Sequence, residues 1–130
     1  MKNNNIKIGK IGENLACEYL VNKGYKIIER NFRKPWGEID VIVKSKDKTL
    51  VFVEVKTIVY RQTSKILPEE NLTKSKLIKL KRTCALYAGH NENLINDSRG
   101  WRIDLLAITM PDKLTMSYKN CVISHYENIG

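Results

Sequence analysis

Two charged residues, Glu54 and Lys56, interrupt the apolar segment of residues 51–57, VFVEVKT. Four of its seven residues are valine or phenylalanine, which is typical of a buried strand. Side chains alternate between the two faces of a strand, so we expect Phe52, Glu54 and Lys56 on one face and the three valines on the other. A carboxylate and an ammonium group on one face of an apolar strand are candidates for chemistry.

A second carboxylate, Asp40, lies in the preceding strand-like segment, residues 38–44. The polar turn at residues 45–48 separates the two segments, and this pattern predicts a β-hairpin. Alternation predicts one face with Ile39, Val41 and Val43 and another with Glu38, Asp40 and Ile42. Antiparallel pairing of the hairpin would place Asp40 beside Glu54.

Two carboxylates held close together repel each other unless a cation neutralises them. Mg²⁺ prefers oxygen ligands and commonly binds one or two carboxylates, which leaves positions for water and a substrate phosphate. Lys56 could then stabilise negative charge in a phosphorane-like transition state or orient the attacking water. The pattern thus indicates metal-assisted phosphodiester hydrolysis. Its alternative is a cross-strand ion-pair network on a solvated face, which joins Glu54 and Lys56 to Asp40 and Glu38. The spacing leaves both open.

The chain has 23 Lys and Arg against 14 Asp and Glu, a formal net charge of +9. Such an excess attracts polyanions, of which nucleic acid is the commonest, ahead of an acidic protein or a membrane surface. A basic surface that serves only solubility is the alternative. Charge alone does not choose between these functions.

The pattern of apolar residues, caps and turns predicts a helix, three strands, a second helix and a further strand, in one domain over residues 1–130. The predicted fold class is therefore α/β, a mixed sheet flanked by helices. The predicted helices are residues 6–23, ended by Gly24, and residues 73–89, capped by Thr73 and ended by Gly89. The predicted strands are residues 25–32, 38–44, 49–57 and 101–109, with weaker ones at 114–118 and 121–126, and residues 58–72 form a long connection.

Cys17, Cys84 and Cys121 form no CxxC pair, so we expect reduced thiols in a cytoplasmic protein. No stretch has the length of a signal peptide's apolar core or of a membrane span, and we expect no membrane association. His90 and His125 have no neighbour at ligand spacing and are expected to be non-catalytic.

The motifs GEID, residues 37–40, and EVK, residues 54–56, resemble the signature of the PD-(D/E)XK, or restriction-endonuclease-like, nuclease superfamily. Nearly the whole chain resembles the narrower YraN-like bacterial family of predicted nucleases. The resemblance rests on Gly9, Gly12, Glu13 and Ala16 in a G-x-x-G-E-x-x-A pattern, on residues 23–33, KGYKIIERNFR, and on residues 68–76 and 102–105. It implies a restriction-endonuclease-like sheet and a metal-dependent nuclease.

Residue by residue, the resemblance implies that Asp40 and Glu54 hold Mg²⁺ or Mn²⁺, joined by the backbone carbonyl of Val55. It implies that Lys56 is the catalytic lysine and that Glu13 is the acidic residue supplied by the first helix. A solvated Glu13 on a helix surface is the alternative.

The resemblance further implies contacts with DNA phosphates from Arg33, Lys34, Thr73, Lys74, Lys76 and Lys79. The lysines of the second helix would otherwise form a solvated face. Asp104 faces Arg102 and forms either an internal ion pair or part of the site. The implied substrate is DNA, including branched or repair intermediates, and related resolvases act as dimers, so a homodimer is one expectation. The alternatives are a nucleic-acid-binding module with little or no catalysis and a protein-interaction domain with a basic face.

Overall fold

The computed structural model describes residues 2–59, 72–110 and 121–130, with side chains from residue 8 onward and not at residue 59. The elements are α1 (Lys2–Asn22), β1 (Lys26–Lys34), β2 (Gly37–Lys44), β3 (Leu50–Val59), α2 (Lys74–His90), a 3-10 turn (Glu92–Leu94), β4 (Trp101–Met110) and β5 (Val122–Tyr126). Their order confirms the predicted succession of elements. The predicted strand at 114–118 lies outside the described residues, as does most of the predicted connection at 58–72. That connection begins later than predicted, because Ile58 and Val59 continue β3.

The strands form one five-stranded mixed sheet in the order β1-β2-β3-β4-β5. β3 and β4 are parallel and pair without a shift from Leu50 with Trp101 to Val59 with Met110. The other neighbours are antiparallel. This mixed α/β sheet is consistent with the restriction-endonuclease-like fold.

The two long helices cover opposite faces of the sheet. On the first face α1 contributes Ile11, Leu15, Ala16, Cys17 and Leu20 against Val41, Val43, Val51, Val53, Leu106, Ile108 and Met110. On the second face α2 contributes Leu80, Cys84, Tyr87 and Ala88 against Ile39, Ile42, Leu50, Phe52 and Ile103. Full burial of a large aliphatic or aromatic side chain contributes about 1.5–3 kcal/mol, so these contacts hold both helices against the sheet.

The helix ends follow from local hydrogen bonds. Gly24, with φ +95°, ends α1. Its N–H donates to the Val21 carbonyl at 3.0 Å, and the N–H of Tyr25 donates to the Leu20 carbonyl, also at 3.0 Å. Thr73 caps α2 as predicted, its hydroxyl accepting the Lys76 N–H at 3.3 Å. The predicted stop at Gly89 is wrong.

α2 continues to His90 because the Asn91 side chain donates to the Tyr87 carbonyl at 2.9 Å and so satisfies the last turn. Among the described residues no disulfide forms; Cys17 and Cys84 are buried thiols and Cys121 is half-buried. Within the same residues no helix is long and apolar enough to cross a membrane.

One predicted face of β2 is wrong at Ile39. Ile39 packs with Phe52 on the α2 side, whereas Val41 and Val43 pack on the α1 side. Asn31, in the paired strand β1, has φ +53°, and the ladder between β2 and β3 runs no further than Val41 with Val53. The alternation of β2 side chains between the two faces of the sheet is therefore interrupted at Asp40.

Candidate active site

Asp40 lies where the ladder between β2 and β3 ends. Its Oδ2 accepts the backbone N–H of Val55 at 2.8 Å, so a side chain replaces the backbone acceptor that a regular antiparallel pair would offer. This bond fixes the Asp40 carboxylate against the backbone of the neighbouring strand β3.

Glu54 reaches Asp40 from the α2 face. Burial, a side-chain hydrogen bond with Asp40 and repulsion from its charge together raise the pKa of Glu54 to about 9, although Lys56 acts in the opposite direction. At neutral pH Glu54 therefore keeps its proton. Phe52, two residues earlier on the same face, packs edge-on against Tyr87 of α2, with the two ring centroids 5.6 Å apart. This contact helps to hold α2 against β3.

Glu13 approaches Asp40 from α1. Gly12 permits this approach, since a Cβ at that position would lie 1.9 Å from the Thr57 hydroxyl oxygen, and any other residue would push α1 away from β3. Burial raises the pKa of Glu13 and the charge of Asp40 raises it further, while Arg33, Arg30 and the Asn31 side chain offset part of the shift. Glu13 is half-buried, and its role in the site stays a prediction.

A cleft of about 510 Å³ opens between α2 and the ends of β1, β2 and β3. It is lined by Lys34, Pro35, Gly37, Glu38, Glu54, Lys56, Lys76, Lys79, Leu80 and Thr83. Glu54 and Lys56 thus share one face and open into one space, as the alternation of the strand predicts. Four lysines against two carboxylates make the cleft attractive to a phosphate group.

The six residues predicted to contact DNA divide into two groups. Lys34, Lys76 and Lys79 line the cleft. Arg33 is exposed and pairs with Glu38 at the surface, Thr73 caps α2, and Lys74 is exposed in the first turn of that helix. None of these three is part of the cleft lining.

The donor set at Asp40 and Glu54 fits a divalent cation. Both groups offer carboxylate oxygens, and only one oxygen of Asp40 is engaged by the Val55 N–H. Hard divalent cations such as Mg²⁺ and Mn²⁺ prefer oxygen ligands of this kind, and one of them would neutralise the charge of the pair. The backbone of Val55 adjoins the pair through the same hydrogen bond, which keeps its carbonyl as a predicted third ligand.

A model of the Uncharacterised protein family UPF0102 matches residues 12–108, about three quarters of the chain. The chain belongs to UPF0102. A UPF0102 protein of Corynebacterium efficiens is 37% identical over 131 residues, with 99% of this chain and 96% of that protein covered. Relatives from Alkaliphilus oremlandii (39% over 125 residues, 95% and 97% covered) and Caldicellulosiruptor bescii (38% over 117, 89% and 93%) are similar along most of their lengths. These names state no activity.

Five residues that line this UPF0102 cleft were not among the predicted site residues: Pro35, Gly37, Glu38, Leu80 and Thr83. Two of them, Glu38 and Thr83, bring polar side chains. Glu38 lines the cleft and its charge acts on Glu54; its position two residues before Asp40 on the predicted face was the available signal. Thr83 lines it from α2, one helical turn beyond Leu80. Gly37 lies directly against Thr83, since a Cβ there would come within 2.0 Å of the threonine hydroxyl oxygen.

Asp104 is outside the cleft, and the ion-pair alternative for it is confirmed. Its fully buried carboxylate accepts from Arg102 Nε at 2.9 Å and from the Asn128 backbone N–H at 3.0 Å, and it is hydrogen-bonded to His125 Nε2 at 2.8 Å. Burial acts to raise the pKa of Asp104, but these hydrogen bonds outweigh it and lower the pKa below its ordinary value. His125 also bonds the Tyr19 hydroxyl of α1, at 3.2 Å.

The expectation that His125 lacks partners at ligand spacing is wrong, because the fold brings Asp104, His125 and Glu127 to within 4.8 Å of one another. Arg102 donates to both carboxylates of this group, at 2.9 and 3.1 Å. A cation would have to displace the guanidinium. We therefore assign the group the role of holding the last residues of the chain against β4.

Proposed function

We propose that this UPF0102 protein is a divalent-metal-dependent nuclease that hydrolyses phosphodiester bonds in DNA. The observation that carries the proposal is the carboxyl group of Glu54, which opens with Lys56 into a lysine-lined cleft and lies close enough to Asp40 for the charge of Asp40 to raise its pKa. A strongly raised pKa on a carboxyl group that opens into a cleft is more typical of a catalytic than of a structural carboxylate.

Asp40 and Glu54, with the Val55 carbonyl, would hold Mg²⁺ or Mn²⁺, which supplies Lewis-acid stabilisation of the scissile phosphate. Lys56 stabilises the negative charge that develops on this phosphate in the transition state. Glu13 of α1, whose pKa the charge of Asp40 helps to raise, is proposed as a further acidic residue of the site.

Lys34, Lys76 and Lys79 would bind the DNA backbone, each contact positioning the strand without reading its sequence. Arg33 can join them only after it releases Glu38, and an exposed ion pair of this kind contributes about 1 kcal/mol or less. Thr73 and Lys74 lie at the N-terminal end of α2, before the two cleft lysines of that helix, and remain proposed contacts of a longer DNA segment. Action on branched or repair intermediates, a homodimeric assembly and a cytoplasmic location all stay predictions.

The test is incubation of the purified protein with supercoiled, flapped and four-way DNA in Mg²⁺ or Mn²⁺. We expect Lys56→Ala to lower cleavage by about a hundredfold or more, the scale of a lost transition-state contact. The matched control is Lys81→Ala, which removes an exposed lysine of α2 outside the cleft.

No cleavage of any substrate, or cleavage that survives Lys56→Ala, would contradict the proposal. Salt-sensitive binding of these DNAs without turnover would identify a binding module instead. Retention of a protein partner in place of DNA at low salt would favour an interaction domain.

A further inference from the structure

Trp36 is an exposed tryptophan at the turn between β1 and β2. The turn consists of Pro35 and Trp36, and the flanking residues Lys34 and Gly37 pair with each other. Trp36 is 48% exposed. The second tryptophan, Trp101, packs edge-on against Phe52 at 5.3 Å and is half-buried. Within the described residues Trp36 has no comparable ring partner, so its exposure is not explained by packing.

The turn places Trp36 at the rim of the cleft. Lys34, Pro35 and Gly37 line the cleft, and Trp36 lies between the last two in sequence without lining it. The exposed Trp36 is thus joined on both sides to residues of a strongly basic cleft, in which Lys34 shares the lining with Lys56, Lys76 and Lys79. Single-stranded nucleic acid is bound by this combination of cations that follow the backbone and an aromatic ring that stacks on a base.

We infer that Trp36 stacks on an unpaired nucleobase of the DNA whose backbone occupies the cleft. The inference rests on the proposed function and deepens it by naming the substrate class. In an intact duplex each base stacks on its neighbours and is not available to a side chain at the surface. The protein therefore prefers DNA with a single-stranded segment next to the bond in the cleft, such as a flap, a gap or a free strand.

The experiment measures binding separately from cleavage, by fluorescence anisotropy of labelled DNA in EDTA at low salt. The probes are an oligothymidylate, a blunt duplex of the same length and a duplex with a single-stranded flap. We expect Trp36→Ala to weaken binding of the oligothymidylate and the flapped duplex about tenfold or more, and of the blunt duplex less than about twofold. Trp36→Phe keeps a stacking ring and should lie between wild type and Trp36→Ala.

The control is Val21→Ala, which shortens a side chain of similar exposure, 55%, on α1 across the sheet. It should leave the affinity for all three DNAs unchanged. A second measurement uses the intrinsic fluorescence. The oligothymidylate should quench the emission of the wild type, and Trp36→Phe, in which only Trp101 emits, should lose most of this quenching.

If Trp36→Ala binds every DNA with an affinity within about twofold of wild type, the inference is overturned and the nuclease proposal stands. An equal loss on blunt duplex and oligothymidylate would also overturn it, since the contact would then not depend on an unpaired base. Failure of the wild type to bind any of the DNAs would instead refute the proposed function, and the inference with it.

Discussion

Replacement of Glu54 by glutamine should stabilise the protein at neutral pH while it removes activity. The pKa of Glu54 is raised from 4.5 to about 9 by burial and by Asp40, so the folded state must keep a proton that the unfolded chain releases. Below pH 4.5 Glu54 is protonated in both the folded and the unfolded state, so it does not lower the stability. Above it, stability falls by about 1.4 kcal/mol per pH unit until the folded-state pKa is reached.

At pH 7 the chain is about 2.5 units above the ordinary value of 4.5, which corresponds to up to about 3 kcal/mol. Glutamine has nearly the same shape, keeps a hydrogen bond to Asp40 and cannot ionise. The free energy of unfolding is measured by urea denaturation in EDTA at several pH values between 5 and 8. The difference between Glu54→Gln and wild type should grow with pH in favour of the variant.

The matched control is Glu38→Gln, which alters an exposed carboxylate of the same cleft. It should change stability by less than about 1 kcal/mol at every pH. A Glu54→Gln variant that is less stable than wild type at pH 7, with a difference that does not vary with pH, would contradict the raised pKa of Glu54. Glu54 would then be ionised in the folded state and not held against Asp40.

Three further predictions follow from other contacts. Gly37→Ala should lower the free energy of unfolding measured with urea, because its Cβ would lie 2.0 Å from the Thr83 hydroxyl oxygen. Thr83→Ala in the same chain should recover part of this loss. A Gly37→Ala variant as stable as wild type would contradict the close packing. Asp104→Asn should cost about 3–5 kcal/mol in the same assay, because it leaves an arginine without its buried counter-charge. A cost below about 1 kcal/mol would mean that water solvates the group. Simultaneous Lys76→Ala and Lys79→Ala should reduce the slope of log K for DNA against log salt by about 1.8, and an unchanged slope would remove α2 from the DNA interface.

Local patterns predicted most of the fold. Phe52, Glu54 and Lys56 share a face because β3 is regular and pairs with β4 along its whole length, and the alternation rule needs nothing more. Gly24 and Thr73 mark helix ends through bonds that span only a few residues. These features depend on near neighbours in the chain, which a sequence pattern records.

The features that the sequence did not predict depend on contacts between distant residues or on side chains that replace backbone partners. Ile39 faces α2 because the pairing of β2 with β3 ends at Asp40, whose carboxylate takes the Val55 N–H. The partnership of Asp104 and His125 joins residues 21 positions apart on different strands. Neither leaves a local signal.

The most direct test of the proposed metal site is a crystal structure of the protein grown with Mn²⁺ and measured for anomalous scattering. We expect a peak that bridges carboxylate oxygens of Asp40 and Glu54. Absence of a peak at these carboxylates under saturating Mn²⁺, or a peak at Asp104 and Glu127 alone, would contradict it.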